Sequence, residues 1–446
     1  MGERVLVQGF PSMIPTPRLL VLIALLAVAG LAPAFYPVAM PLWWIVLALI
    51  VGLALVDGVS AWRRPDPEVQ RRLPGSLALG VSESVVLRLR HLGAGTLTFA
   101  VYDHYPLTMQ VTGLPQTVAI PPDQFVEVTY HVRPVVRGEA WFTGLQLRVR
   151  SPLGLWLRNL RLPLSESIRV YPNFAAVAKY TLLAADNRLD QMGIHKQRKR
   201  GEGQNFHQLR EFRQGDALRQ VDWKASARLR KLISREYQEE RGQDVIFLLD
   251  CGHRMLARDG ALSHFDHSLN AVLLVAYVAL RQGDAVGFGS FSGDERWLNP
   301  VKGIRRINRV FNTLYDIQPT SQAPDYAAAA TRLLLRQKKR ALVVLITNLR
   351  DEDNADLLPA IDLLRQKHLV LVASMREQAL DVELEQAVTD FDQALRHAAT
   401  RDYLQQREQA VDGIKSSGVL CVDVIPQDLS VSLVNHYLEI KASGRL

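Results

Sequence analysis

The chain has 446 residues, a formal net charge of +8 and a hydrophobic share of 48%. This length allows two or three domains, each with its own core. Two cysteines, Cys251 and Cys421, are too few for the disulfide framework of a small secreted protein, which favours a reducing compartment. The moderate positive charge suits an anionic membrane surface or a nucleic acid and selects neither.

Two uncharged apolar runs, residues 19–34 and 38–56, follow an N-terminal segment of residues 1–18. Their lengths approach the roughly 20 residues that a membrane-spanning helix needs. Because the stretch between them is too short to fold, the runs predict a transmembrane helical hairpin over residues 19–56. A single buried or re-entrant apolar element is the alternative. Trp43 and Trp44 fit either the membrane interface or packing against the first helix.

Arginines on both sides of the apolar runs predict the orientation of the hairpin. The turn between the runs contains none, and positively charged flanks stay in the cytoplasm. We therefore expect a two-pass protein of the cytoplasmic membrane, with its soluble domains facing the cytoplasm. The flanking arginines are Arg4, Arg18, Arg63, Arg64, Arg71 and Arg72.

A linker is predicted over residues 57–76, and the sequence then alternates apolar and polar residues with a period of two. The stretch FVEVTYHVR, residues 125–133, shows this alternation, which is typical of half-buried strands. Turn signals separate several such short runs. A small β-sandwich is therefore expected over residues 77–172, with its arginines on the solvated face.

A connecting region, residues 173–243, contains the stretch GDALRQVDWKASARLRK. In one interpretation Asp216 caps a short helix, the charges of Arg219 and Asp222 meet on one face, and Trp223 is buried. Asp222→Ala would then cost about 3–5 kcal/mol as a broken buried ion pair. In the other, Arg219, Lys224 or Arg228 is exposed and binds a partner protein. The candidate residues are Gly215, Asp216, Arg219, Asp222, Trp223, Lys224, Ser226 and Arg228.

From residue 244 to the end, continuous apolar strands alternate with amphipathic helices. Strands are predicted at VIFLLD, AVGFGSF, ALVVLIT, LVLVASM and VLCVDV. This alternation predicts a doubly wound α/β domain with a parallel sheet, in which ligands bind at the carboxyl ends of the strands. Asp250 ends the first of these strands.

The order of these parts resembles the bacterial domain-of-unknown-function 58 family. The resemblance rests on the apolar runs, VRSPLGLWLRNLRLPL, LREFRQGDALRQVDWKASARLRKLISREY and VIFLLDCGHRM. It implies a last domain similar to von Willebrand factor A domains. It also implies a MoxR-type AAA+ ATPase as partner, together with a membrane transglutaminase-like protein.

Von Willebrand factor A domains often hold a divalent cation, and the resemblance places the corresponding positions in this chain. Asp250 matches the first ligand, but Gly252 and Arg254 stand where serines are expected, and Asn348 stands where a later aspartate is expected. Thr320 and Asp325 lie near the expected threonine. We expect a degenerate site without metal, in which the Arg254 guanidinium pairs with Asp250.

The function predicted from the sequence is a membrane-anchored, noncatalytic adaptor or scaffold that acts with a MoxR-type ATPase in envelope protein assembly or maturation. No cofactor is expected. One alternative is a metal-dependent hydrolase, or metal-mediated binding, at Asp250. A second is a basic module that binds anionic lipid or nucleic acid through the run HKQRKRGEG, although nucleic acid is not an expected partner.

The arginine asymmetry generates a prediction about topology. Reporter domains fused after Arg72 and at Leu446 should both give a cytoplasmic signal, because both positions follow the second apolar run. A periplasmic signal at either position would rule out a cytoplasmic partner.

Overall fold

The computed structural model describes residues 12–31, 35–173, 175, 179, 205–212, 221–238, 242–350 and 354–445. The chain divides into two compact units, Met1–Tyr171 and Pro172–Leu446. The boundary lies next to residue 172, where the sequence predicts the end of the sandwich region.

Strands with alternating burial build most of the first unit, which we call the β domain. Strand β8 buries Val128, Tyr130 and Val132 and exposes the residues between them, as the period of two predicts. The strands form sheets of order β1-β11-β10-β5-β7, β2-β4-β8-β6 and β3-β12-β9. Their bounds are β1 Ser12–Pro15, β2 Glu68–Arg72, β3 Leu77–Ala78, β4 Glu83–Arg90, β5 Leu97–His104, β6 Met109–Thr112, β7 Gln116–Ile120, β8 Phe125–Pro134, β9 Gly138–Phe142, β10 Gly144–Arg150, β11 Trp156–Leu162 and β12 Glu166–Tyr171.

Two apolar helices, α1 (Pro17–Ala29) and α2 (Met40–Arg63), leave the β domain and return to it. Before α1, strand β1 pairs with β11, and after α2, strand β2 pairs with β4. The predicted N-terminal segment and the predicted linker therefore both contain strands of the β domain. Both ends of the helical pair are fixed to one folded unit.

The second helix has the length and composition of a membrane-spanning segment. Among the described residues, one helical stretch, Pro37–Arg63, is long and apolar enough to cross a membrane, and its most apolar part has no buried residue. The helix α1 is shorter, with 13 residues. Trp43 donates a hydrogen bond from its indole nitrogen to the Leu26 carbonyl at 3.1 Å, whereas Trp44 is 54% exposed. Of the two positions considered for Trp43, the structure therefore shows the contact with the first helix.

A buried carboxylate joins α2 to the β domain. Asp57, which is 1% exposed, accepts hydrogen bonds from the Ser151 hydroxyl at 2.5 Å and from the Leu153 and Leu155 amides at 2.8 and 3.1 Å. Three donors from one loop thus bond to both oxygens of this carboxylate, which lies on an otherwise apolar helix. We refer to residues 151–155 as the anchor loop.

Two further contacts hold the anchor loop, and Trp156 directly after it, against the helices. The Trp156 indole donates to the Ala54 carbonyl of α2 at 2.8 Å. The hydroxyl of Thr16, the residue that caps α1, donates to the Gly154 carbonyl at 2.8 Å. Both apolar helices therefore meet the β domain at the same loop.

One of the arginines that follow the second apolar run lies in the interior of the β domain. Arg71 is 7% exposed and makes two hydrogen bonds to the Asp103 carboxylate, at 2.6 and 3.0 Å, while the Tyr130 hydroxyl donates to the same carboxylate at 2.5 Å. Burial and the Asp103 charge raise the pKa of Tyr130. Asp103 thus neutralises Arg71 in the interior. The expectation that the sandwich arginines are solvated is wrong for Arg158, which is 7% exposed and donates to Asp66 at 2.7 Å.

The second unit is built on a six-stranded sheet of order β19-β18-β15-β20-β21-β22, parallel except for the edge strand β19. The five strands predicted from continuous apolar runs are confirmed as its parallel strands. The edge strand was not predicted. The strands of this unit are β13 Asn205–Glu211, β14 Ile233–Gln238, β15 Asp244–Asp250, β16 Arg258–Asp259, β17 Leu262–Ser263, β18 Ala285–Phe291, β19 Trp297–Lys302, β20 Ala341–Thr347, β21 Leu369–Met375 and β22 Leu420–Val424.

Helices pack on both faces of this sheet through two hydrophobic clusters. One cluster gathers around Phe265 and Tyr437, and the other around Tyr326 and Ile361. The described helices of the unit are α3 Trp223–Leu229, α4 His264–Arg281, α5 Ile307–Leu314, α6 Tyr326–Arg336, α7 Asn354–Arg365, α8 Gln378–Glu385, α9 Phe391–Ser416 and α10 Leu429–Ala442.

Candidate functional site

The carboxyl edge of the parallel sheet is the first place to expect a site. Of the six strands of this sheet, β15 comes first in sequence and lies between β18 and β20. The chain therefore extends the sheet first on one side of β15, through β18 and β19, and then on the other side, from β20 to β22. Ligands of such sheets bind at this change of direction, beyond the carboxyl ends of the strands. Asp250 ends β15, and Thr347 ends β20 beside it.

Both carboxylate oxygens of Asp250 accept hydrogen bonds from the protein. The Gly252 amide donates to Oδ1 at 2.7 Å and the Thr347 hydroxyl to Oδ2 at 2.8 Å. The Tyr326 hydroxyl lies 3.0 Å from the Thr347 hydroxyl and extends this network. Burial raises the pKa of Asp250, and the hydrogen bonds from Gly252 and Thr347 oppose that rise.

The loop after β15 places Gly252 and Arg254 beside this carboxylate. A Cβ atom at Gly252 would lie 2.9 Å from the Gln322 carbonyl oxygen, so a serine there would require the backbone to shift. Arg254 is 8% exposed, and its positive charge lowers the pKa of Asp250. The pairing of this guanidinium with Asp250 stays a prediction.

Asn348 belongs to a second polar network at the same edge. Its amide nitrogen donates to Glu377 Oε1 at 3.0 Å, and its amide oxygen accepts from Arg407 at 3.2 Å. Arg407, which is 2% exposed, also donates to the Ser374 hydroxyl at 2.6 Å and to Asp423 at 2.7 Å. One guanidinium therefore links the carboxyl ends of β20, β21 and β22.

Sequence reasoning missed Arg407, although the helical pattern contains a signal for it. Ala410, Val411 and Ile414 follow Arg407 at intervals of three, four and seven residues and form the buried stripe of α9. An arginine on the apolar stripe of a helix predicts a buried guanidinium with acidic or carbonyl partners.

The two oxygen-bearing residues near the expected threonine position have structural contacts. Thr320 donates from its hydroxyl to the Ser292 carbonyl at 2.6 Å, and Asp325 caps α6 by accepting from the Ala328 amide at 2.9 Å. Across the described ranges, no cluster of three or more His, Cys, Asp or Glu side chains has the geometry to hold a metal ion. Asp250, Asn348, Thr320 and Asp325 are thus each hydrogen-bonded within the protein.

The second candidate site is the connecting region, of which the structure describes residues 205–212 and 221–238. Gly215, Asp216 and Arg219 lie outside the described residues, as do Lys196, Arg198, Lys199 and Arg200 of the basic run. The strands β13 and β14 pair antiparallel, and Val221 forms a further bridge with Ser234.

Asp222 and Ser226 attach the short helix α3 to these strands. Asp222 is the N-cap of α3: its carboxylate accepts from the Ala225 amide at 2.9 Å, and its own amide donates to the Ile233 carbonyl at 2.8 Å. The buried Ser226 hydroxyl accepts from the Ile233 amide at 2.9 Å. Asp222 therefore caps α3 from extended backbone, and Arg219, with which it was expected to share a helical face, lies outside the described residues.

The exposed side of α3 carries an aromatic and two basic side chains. Trp223 is 66% exposed, which corrects the prediction that it is buried. The reason is that Trp223 is the first helical residue, and the inward positions belong to Ala225 and Ser226. Lys224 and Arg228, one helical turn apart, are also exposed. We call Trp223, Lys224 and Arg228 the α3 surface.

Comparison with known proteins shows a family match and several distant similarities. The family model described as "Protein of unknown function DUF58" matches residues 208–411, which include the α3 surface and Asp250. The uncharacterized protein YeaD of Bacillus subtilis (strain 168) is 22% identical over 183 residues, which are 39% of this chain and 41% of that protein. The chain thus matches about two-fifths of that relative's length.

Two solved structures are similar to parts of the chain. One is an aerotolerance-related membrane protein from Bacteroides fragilis NCTC 9343, carrying multiple mutations to serines; it is 17% identical with a TM-score of 0.28, and the match covers 44% of this chain and 99% of that one. The other is proximal thread matrix protein 1 from the mussel byssus, 13% identical with a TM-score of 0.29, covering 46% of this chain and 48% of that one.

The hydrogen bonds that Asp250 accepts within the protein generate a prediction about metals. Titration of the full chain in detergent micelles with Mg²⁺ or Mn²⁺ in a calorimeter should show no saturable site, because Gly252 and Arg254 replace oxygen ligands. Saturable binding that Asp250→Ala abolishes would overturn this expectation.

The raised pKa of Asp250 generates a prediction about pH. A proton held by the folded state stabilises it fully below the unfolded pKa of about 3.9, and this contribution is lost as pH rises through the folded pKa. The Asp250→Asn variant does not have this loss, so the difference between its melting temperature and that of the parent should increase as pH rises above about 4. A difference in melting temperature that does not change with pH would contradict the assignment.

Proposed function

Because residues 208–411 belong to the family described as protein of unknown function DUF58, we propose that the chain is a membrane-anchored, noncatalytic adaptor that binds a MoxR-type AAA+ ATPase through its α3 surface. The observation that carries this proposal is that Trp223 is 66% exposed on a helix that hydrogen bonds attach to strand β14. The ATPase is the partner that the sequence resemblance implies.

The anchor in this proposal is the pair of apolar helices. Strands β1 and β2, before and after the pair, belong to the same β domain, so the intervening chain crosses the membrane an even number of times or not at all. A two-pass hairpin satisfies this condition. Arg18 in the first turn of α1 and Arg63 and Arg64 at the end of α2 support a cytoplasmic position for the β domain.

The α3 surface has the composition of an interface hot spot. Tryptophan and arginine are the side chains that most often dominate binding energies. Hydrogen bonds from Ser226 and Asp222 attach α3 to β14, so the helix presents Trp223 and Arg228 without reorganising. A preorganised aromatic side chain flanked by basic ones fits a partner groove with an acidic rim.

The noncatalytic part of the proposal rests on the hydrogen bonds at the carboxyl edge of the parallel sheet. Both oxygens of Asp250 accept protein hydrogen bonds, and Arg407 occupies the ends of three neighbouring strands. Groups engaged in this way favour a structural role over catalysis. A membrane transglutaminase-like protein is the second partner that the sequence resemblance implies.

Alanine variants of the α3 region test the docking role. Trp223→Ala and Arg228→Ala should each weaken binding of a purified MoxR-type ATPase from the same organism by roughly 1–3 kcal/mol, while the melting temperature stays nearly constant. The measurement is a thermal melt together with a pull-down on the full chain in detergent.

Ser226→Ala is the matched structural control. It leaves the Ile233 amide without its acceptor and should lower stability by about 1–3 kcal/mol. Asp222→Ala should cost about 0.5–2 kcal/mol through the loss of the N-cap hydrogen bond to the Ala225 amide. Unchanged ATPase binding by both Trp223→Ala and Arg228→Ala would reject the docking role of α3.

A further inference from the structure

The apolar exterior of α2 continues beyond the point at which the anchor loop holds it. Val56 is 64% exposed, Val59 46% and Trp62 59%, although Asp57 between them is buried against the anchor loop. Arg63 follows immediately. An exposed tryptophan next to an arginine at the end of an apolar helix is typical of the boundary between lipid and water.

The length of α2 also places the boundary between lipid and water near Val59. From Met40 to Val59 the helix rises about 30 Å, which equals the usual hydrocarbon thickness of roughly 30 Å. From Met40 to Leu53, before the first contact with the β domain, it rises only about 20 Å. The contacts at Ala54 and Asp57 therefore fall within the length that a membrane would cover.

The anchor loop must then reach the depth of these contacts. The Leu153 amide bonds to Asp57, and the Trp156 indole bonds to Ala54. Thr16, at the start of α1, bonds to Gly154 in the same loop. Leu153 itself is 53% exposed, so its side chain points away from the β domain core.

We propose that the anchor loop is a lipid-binding element, with Pro152 and Leu153 in the boundary between the headgroups and the acyl chains of a phospholipid bilayer. This inference rests on the membrane anchor of the proposed function and is independent of the ATPase. Exposed Arg18 and Arg150 flank the loop, and their guanidinium groups suit lipid phosphates. The β domain is therefore docked on the membrane by one end.

Spin labels at three exposed leucines test this geometry. Leu49→Cys lies in the middle of α2, Leu153→Cys in the anchor loop, and Leu107→Cys at the other end of the β domain. The positions of the last two follow from the register of β10 and β5: Arg150 precedes the anchor loop near Phe99, whereas Gly144 pairs with His104, about 20 Å away and next to the turn of Leu107.

Each variant is made in the full chain on a Cys421→Ala background, because Cys251 is buried and Cys421 is partly accessible. The chain is placed in nanodiscs that contain phosphatidylglycerol and phosphatidylethanolamine. Collision of each label with oxygen, which concentrates in lipid, is compared with collision with a water-soluble nickel chelate. The ratio of oxygen to nickel collisions should be severalfold higher at Leu49 and Leu153 than at Leu107.

The three labels separate failure of this inference from failure of the membrane anchor. A lipid-like ratio at Leu49 with a water-like ratio at Leu153 would overturn the inference and leave the anchor intact. A water-like ratio at Leu49 would overturn both. A lipid-like ratio at Leu107 would also contradict docking by the anchor-loop end.

Discussion

The carboxylate of Asp57 is the constraint on which the arrangement of the first unit depends. A charge on an apolar helix is costly to bury unless hydrogen-bond donors surround it. The Ser151 hydroxyl and the Leu153 and Leu155 amides supply these donors. Removing the β domain from α2 would leave this carboxylate without these three donors, so the contact between the domain and the helix is costly to break.

The second unit uses the same principle for a different purpose. Its sheet has the topology of a ligand-binding α/β domain, but polar side chains of the protein occupy the carboxyl edge where a ligand would bind. Asp250 is satisfied by Gly252 and Thr347, and Arg407 satisfies the neighbouring strand ends. In the function proposed above, this domain therefore contributes through its surface.

Period and composition predicted those parts of the chain whose structure is determined locally. The parallel strands at Asp250 and Thr347 end where the apolar runs end, because fully buried strands need continuous apolar sequence. Nonlocal contacts decided much of the rest. Arg71 is buried because Asp103 lies opposite it in the fold. Trp223 is exposed for a local reason that the sequence reading missed, since Asp222 caps the helix and Trp223 is its first residue. Strand β1 was missed because it pairs with a strand more than a hundred residues away.

The central claim is that the α3 surface meets an AAA+ ATPase at the membrane, and site-specific cross-linking in intact cells tests it most directly. A photoreactive benzoylphenylalanine at position 223 should cross-link the full chain to a MoxR-type ATPase, because this position is 66% exposed. The same group at Leu107, which is 99% exposed on the β domain, should give no such product. If cross-linking at 223 yields no ATPase, or yields it equally at 107, the account is contradicted.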